Sequence, residues 1–157
     1  MSNHKHRQES EDDATGFHRE AFPFYWIVNV YARYTQLMEV TLKKVQLDVS
    51  RFRVLMLTEQ YGRASISQIA EYAMAKMPTV TKIVGRLRDD GLVTTSSSEE
   101  DARVTLVELT DAGRQKVNEA MPLVNKIFEK GFRGMSARQV EKMNVTLAGV
   151  LENLNDL

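Results

Sequence analysis

The chain has 157 residues, 43% of them hydrophobic, and its 21 basic and 21 acidic side chains give a formal net charge of zero. That length and apolar content suffice for one packed domain or one intertwined protomer, while the even charge argues against a simple polybasic nucleic-acid binder, so any basic surface must be local. With no cysteine, disulfides, thiolate metal sites and cysteine redox chemistry are excluded.

Residues 1–16, "MSNHKHRQESEDDATG", are expected to form a solvated, disordered polar tail. His4 and His6 have the spacing of a metal tract, but in this setting they read as part of that tail, and no metal site or cofactor is expected. The terminus does not read as a charged stub followed by an apolar segment, and no apolar run reaches the length of a spanning helix. The expected location is the cytoplasm, without membrane contact.

From Phe17 to Leu47, Ile27, Val30, Tyr34, Leu37 and Thr41 recur at alternating three- and four-residue spacing, with Tyr31, Met38 and Val45 flanking them. This predicts a long amphipathic helix whose wide apolar band suits packing against a partner chain. A second helix follows in "DVSRFRVLMLTEQYG", capped by Asp48 or Ser50, burying Val54, Leu55 and Leu57 and ended by Gly62 in the left-handed region. In "SISQIAEYA", Ser65 and Gln68 have capping-box spacing, so a short third helix should begin at Ile66 and bury Ile69, Ala70 and Ala73.

After a break at "MAK", "MPTVTKIVGRLRDDGL" places Pro78 in a helix's first turn, with Val80, Ile83, Val84 and Leu87 as the buried stripe and Gly91 as the stop. "LVTTSSS" and "RVTLVELT" are β-prone runs separated by an acidic segment, which predicts an antiparallel hairpin. Thr110 caps a fifth helix that buries Val117, Met121, Val124 and Phe128 and is kinked ahead of Pro122. Ser136 and Gln139 open a sixth, lined by Val140, Met143, Leu147, Leu151 and Leu154. The fold class is therefore mainly α with a small β-hairpin.

A short capped helix, a tight turn, a second helix with a hydroxyl-bearing and basic outer face, and then a hairpin make the pattern of a winged helix-turn-helix. Thr79, Lys82 and Arg86 lie on the outer face of the second helix, with Lys76 and Met77 at its start. A major groove about 12 Å wide admits such a helix closely. Lys and Arg reach guanine edges or phosphates, Thr bonds either base or backbone, and Met77 can lie against a thymine methyl. The amides that follow Ser65 offer a second partly positive helix end for phosphate. From Arg63 to Arg88 the bases Arg63, Lys76, Lys82, Arg86 and Arg88 face one acid, Glu71. The same pattern also occurs in winged helices that bind proteins without DNA, and that reading stays open at this point. No nucleophile elbow, phosphate-cradling glycine loop or His-Glu-x-x-His pattern is present, so an enzyme is not expected.

The segments "SISQIAEYA", "MPTVTKIVGRLRDDGLV" and "SSSEEDARVTLVELTDAGR" together resemble the core of the multiple-antibiotic-resistance regulator (MarR) family. Asp101, Arg103, Leu109, Thr110 and Gly113 match that family's wing signature, and Leu87, Gly91, Leu92 and Val93 its helix-to-wing junction. The resemblance covers nearly the whole chain after the tail. It implies a two-fold homodimer in which helices from 17–47 and 111–157 interlock and two winged helices, 48–110, read a pseudo-palindromic duplex. In such a dimer Arg103 enters a minor groove, and Asp101, two residues away, orients it. Lys76 departs from the hydroxyl or small cap common at that position, and Glu99 and Glu100 make the wing unusually acidic.

The resemblance also implies a repressor released by a small ligand, often a phenol or aromatic acid, bound between the dimerisation helices and the winged helix. His18, Phe22, Tyr25 and Trp26, with Arg51 and Arg53, are the candidate residues: aromatic walls and a guanidinium for a carboxylate. "SRFRVL" is similar to the Trp-Arg-Val-Leu variant of family members that control aromatic-acid breakdown. Aromatics at helical spacing equally suit a core or a dimer interface.

Overall fold

The computed structural model describes residues 18–157, so the tail over 1–16 and its His4 and His6 lie outside the described residues. The chain divides into two compact units after Leu37.

In the first unit, a 3-10 turn at Arg19–Ala21 leads into α1, Pro23–Leu42. Proline suits the helix start because its missing N–H has no intrahelical partner there. Trp26 Nε1 donates to the Glu20 carbonyl at 2.9 Å, tying the turn to the helix. The long helix predicted from Phe17 to Leu47 is thus shorter, with 3-10 turns at both ends.

The second unit holds the core. Met38 and Leu42, the buried residues of α1, join Leu47, Phe52, Val54, Leu55, Ile69, Val80, Val84, Leu87, Val107 and Val117 in one cluster. A 3-10 turn at Lys43–Val45 ends at Gln46, φ 60°. Asp48 then caps α2, Val49–Tyr61, accepting from the Arg51 backbone N–H at 2.8 Å. Leu57 is half-buried rather than buried, and Phe52 and Thr58 take inner positions instead. Thr58 satisfies its buried hydroxyl by donating to the Val54 carbonyl at 2.9 Å. Gly62, φ 70°, turns the chain into β1, Arg63–Ser65.

The helix α3, Ile66–Tyr72, opens on the full capping box: Gln68 N donates to Ser65 Oγ and Ser65 N donates to Gln68 Oε1. After a turn with Met74 at φ 50°, α4 runs Met77–Asp89 and buries Val80, Val84 and Leu87, while Ile83 is half-buried. The strands β2, Val93–Ser97, and β3, Thr105–Leu109, pair antiparallel with Thr95 opposite Val107. Where the sequence predicts a two-stranded hairpin, β1 adds a third strand on the other edge of β3, giving the order β1-β3-β2. Three residues are too short to show an alternating pattern.

Thr110 caps α5, Asp111–Gly131, which continues through Pro122. Val117 is buried, but Met121 and Val124 are half-buried and Phe128 is exposed, so the predicted inner face holds only near the helix start. Gly113 and Ala120 occupy the inner positions there, Gly113 where the Leu92 carbonyl leaves no room for a Cβ. Ser136 and Gln139 form the predicted capping box of α6, Ala137–Asn155. Within one chain α6 buries no residue, and Leu147, Leu151 and Leu154 of its apolar face stay exposed.

Candidate nucleic-acid interface

Three buried residues, Val80, Val84 and Leu87, fix the inner side of α4 and thereby decide what faces out. With 3.6 residues per turn, Thr79, Lys82 and Arg86 share a stripe on the opposite side, and all three are exposed. Lys76 and Met77 open the helix, both exposed, and Thr81 Oγ1 folds back on the Met77 carbonyl at 2.9 Å. Lys76 occupies the N-cap without a side-chain bond to the helix, which leaves its ammonium for other acceptors. Thr79, Lys82 and Arg86 thus share one exposed stripe, with Lys76 and Met77 at the end of the helix from which it starts.

Ser65 is placed differently. It is 7% exposed, and its hydroxyl accepts from Gln68 N and bonds Ser67 Oγ at 2.9 Å. Its hydroxyl is thus committed to starting α3, and the amides that follow it are what that helix end offers an anion. Ser67, two residues on, is exposed and carries the hydroxyl that meets Ser65.

At the wing tip, Ser98 N donates to the Val104 carbonyl and Val104 N to the Asp101 carbonyl, both at 2.9 Å, closing a turn before β3. Arg103 therefore lies in the turn, not in the strand. Asp101 Oδ1 accepts from Arg103 N and Nε at 3.0 and 3.1 Å, and Oδ2 accepts from Nη2 at 3.1 Å. These bonds from Arg103 hold the Asp101 carboxyl below the usual range and raise the guanidinium in turn. The Arg103 side chain is 90% exposed, so the carboxylate sets its direction without covering it. Glu99 and Glu100 are exposed on the same tip.

Thr110 locks the wing to what precedes it: its Oγ1 donates to the Gly91 carbonyl at 2.7 Å while accepting from Gly113 N at 3.0 Å. Arg63 pairs with Glu108 across β1 and β3 at 3.3 Å and Arg88 lies 3.8 Å from Asp89, so Lys82 and Arg86 are the less compensated cations of this segment. An exposed helix stripe of hydroxyl and cation, followed by a hairpin tipped with a held Arg, can contact base edges and phosphates together.

Similarity to known proteins agrees with this geometry. The MarR family matches residues 47–105. The HTH-type transcriptional repressor IacR of Pseudomonas putida is 44% identical over 154 residues, covering 98% of this chain and 90% of its own. The chain belongs to the MarR family. MarR-family proteins are transcriptional regulators rather than enzymes, and the chain is accordingly a DNA-binding transcriptional regulator. A mutant MarR from E. coli complexed with operator DNA has the same fold, with a TM-score of 0.73 at 20% identity, over 85% of this chain and 96% of that one. Bordetella bronchiseptica BpsR, whose DNA binding is regulated by 6-hydroxynicotinic acid, aligns at a TM-score of 0.72 and 23% identity, over 90% and 98% of the two chains.

The candidate effector residues fall in two settings. In the first unit His18, Phe22 and Trp26 are exposed, and Tyr25 is half-buried with its ring edge-on to Trp26 at 5.1 Å and the Arg19 guanidinium 5.8 Å from its centre. In the second, Arg53 is exposed on α2, whereas Arg51 is committed: Nε to Asp48, Nη1 to Asp90 and Nη2 to the Gln46 carbonyl. Among the described residues no helix is long and apolar enough to cross a membrane.

Proposed function

We propose that the chain is a cytoplasmic, homodimeric repressor that binds a pseudo-palindromic operator in double-stranded DNA and leaves it on binding a small aromatic carboxylate. The exposed stripe Thr79, Lys82 and Arg86, set opposite the buried Val80, Val84 and Leu87, carries the DNA reading. In this assignment residues 48–110 read the duplex. The α4 stripe, with Lys76 and Met77, enters the major groove, and Arg103, oriented by Asp101, enters the flanking minor groove. The helices of 17–47 and 111–157 pair two copies, so that two reading heads address half-sites one helical turn apart. The uncovered apolar face of α6 supports this pairing.

Selecting a duplex from a random pool and titrating it in gel shifts tests the assignment. Specific binding should weaken steeply with salt, because each phosphate contact releases a counterion. Arg103→Ala should lower affinity for the selected duplex while leaving the melting temperature unchanged, since the side chain is almost wholly exposed. Undiminished binding by that variant overturns the wing contact, and failure to retain any duplex favours a protein-binding winged helix.

For the effector, the first unit offers the aromatic surface of Phe22, Tyr25 and Trp26 and the imidazole of His18, and the second unit, by itself, offers the guanidinium groups of Arg51 and Arg53. Arg53 is the better clamp, since binding at Arg51 would displace acceptors already in place. Regulation of the similarly folded BpsR by an aromatic acid supports the class of ligand. An effector acts only through unequal affinity for the DNA-competent and incompetent geometries. Aromatic carboxylates added to the protein–duplex complex should therefore raise its dissociation constant, and Arg53→Ala should blunt that response. A series with no effect on the complex contradicts the effector reading.

A further inference from the structure

We infer that Arg51 and Asp90 are positioning residues for DNA recognition, a pair that fixes the angle at which α4 is presented although neither lies on its reading stripe. The inference rests on α4 entering the groove.

Asp90 is the C-cap of α4, one residue past the helix and at the opposite end from Lys76 and Met77. Arg51 reaches it from the first turn of α2, with Nη1 at 2.8 Å from Asp90 Oδ2. The other guanidinium nitrogens are engaged at the same time. Nε donates to Asp48 Oδ2 and Nη2 to the Gln46 carbonyl, both at 2.9 Å. Asp48 is itself held, its Oδ1 accepting the Arg51 backbone N–H as the cap of α2. Gln46, at φ 60°, gives the turn a fixed conformation from which its carbonyl faces the guanidinium.

The planar fork is thus anchored on two groups at the entrance to α2, and its remaining arm reaches the end of α4. The Arg51 side chain is 23% exposed, so this is a partly shielded network rather than a loose surface pair. Lysine has one ammonium and lacks the fork needed for three separated acceptors.

The consequence is angular. A helix rises 1.5 Å per residue, so an α4 of this length extends about 20 Å, and a rotation of about 10° at its Asp90 end displaces the opposite end by about 3 Å. Hydrogen bonds to base edges do not survive displacements of that size. Val80, Val84 and Leu87 keep the helix seated in the core, so losing the clamp changes its aim without releasing it.

The test compares the dissociation constants for the selected duplex and a scrambled one, at fixed salt, for full-length wild type, Arg51→Met, Arg51→Lys, Asp90→Asn and the double variant Arg51→Met/Asp90→Asn. Circular dichroism melts accompany each protein. Misaiming on the scale of a mismatched base pair predicts about a tenfold loss for the selected duplex. Scrambled-duplex binding, set by phosphate charge, should change less than about twofold for Asp90→Asn. Arg51→Lys should recover only part of the loss, and the double variant should lose no more than the worse single one.

Equal losses on both duplexes would mean a general structural or charge role and would overturn the inference, as would additive losses or an unchanged ratio in folded variants. If wild type shows no preference for any selected duplex, the DNA reading itself fails, which the wild-type titration reports separately.

Discussion

Asp101 and Arg103 stand two residues apart and share three hydrogen bonds. The ionised carboxylate is the form that accepts them, which is why its pKa lies below the ordinary aspartate range. A depressed carboxyl contributes its hold on Arg103 above the unfolded pKa and loses it as pH falls through the folded value. In an NMR titration the Asp101 carboxyl should therefore titrate below the range of free aspartate, and Arg103→Ala should move it back up towards that range. Gly113 answers to a different constraint: an added Cβ would overlap the Leu92 carbonyl oxygen, a backbone atom that cannot swing aside. Gly113→Ala should cost about 1–3 kcal/mol, the usual penalty for forced overpacking, measured by denaturant unfolding. The Asp-x-Arg spacing makes the first pairing legible in the sequence, whereas Gly113 was marked only by the family resemblance, and its close approach to Leu92 was not legible. The pairing of Arg51 with Asp90 was not legible either, because the two lie 39 residues apart and no local pattern reports such a pairing. Ser65 was legible as a cap from the glutamine three residues on, whereas the burial of its hydroxyl was not.

Among the elements, the two capping boxes were readable because Ser and Gln three apart satisfy each other's neighbouring amides within one turn. Ser65→Ala removes the acceptor for Gln68 N and the partner of Ser67, and should lower stability by about 1 kcal/mol, seen as a fall of a few degrees in a thermal melt. Helix α4 was equally plain, since its buried stripe repeats every three or four residues and the reading stripe follows by exclusion. The strand β1 was not, being fixed by its register against β3, Ala64 opposite Val107, rather than by its own composition. Helix α5 shows the converse failure. Its apolar periodicity continues to Phe128, but a stripe announces only that something will cover it, not that the same chain will.

For the molecule as a whole, Leu147, Leu151 and Leu154 on α6 lie uncovered, and α1 leaves Val28, Val30 and Tyr31 open in its own unit. Burying a leucine fully is worth about 1.5–3 kcal/mol, so a row of them is a strong drive to association. Light scattering at micromolar concentration should report a dimer mass, and Leu147→Asp/Leu151→Asp should give a monomer mass, with a melting temperature that no longer rises with concentration. An unchanged dimer in that variant would place the interface elsewhere.

The separation of reading residues, on α4 and the wing, from the exposed row on α6 has a genetic consequence under the proposed pairing. A chain altered only at Arg103 would still find an intact partner, and the resulting mixed pair would carry one working head. Expressed beside the normal protein, such an allele should derepress the target in a dominant manner. An allele broken at Leu147 and Leu151 would be excluded from pairs and should be recessive.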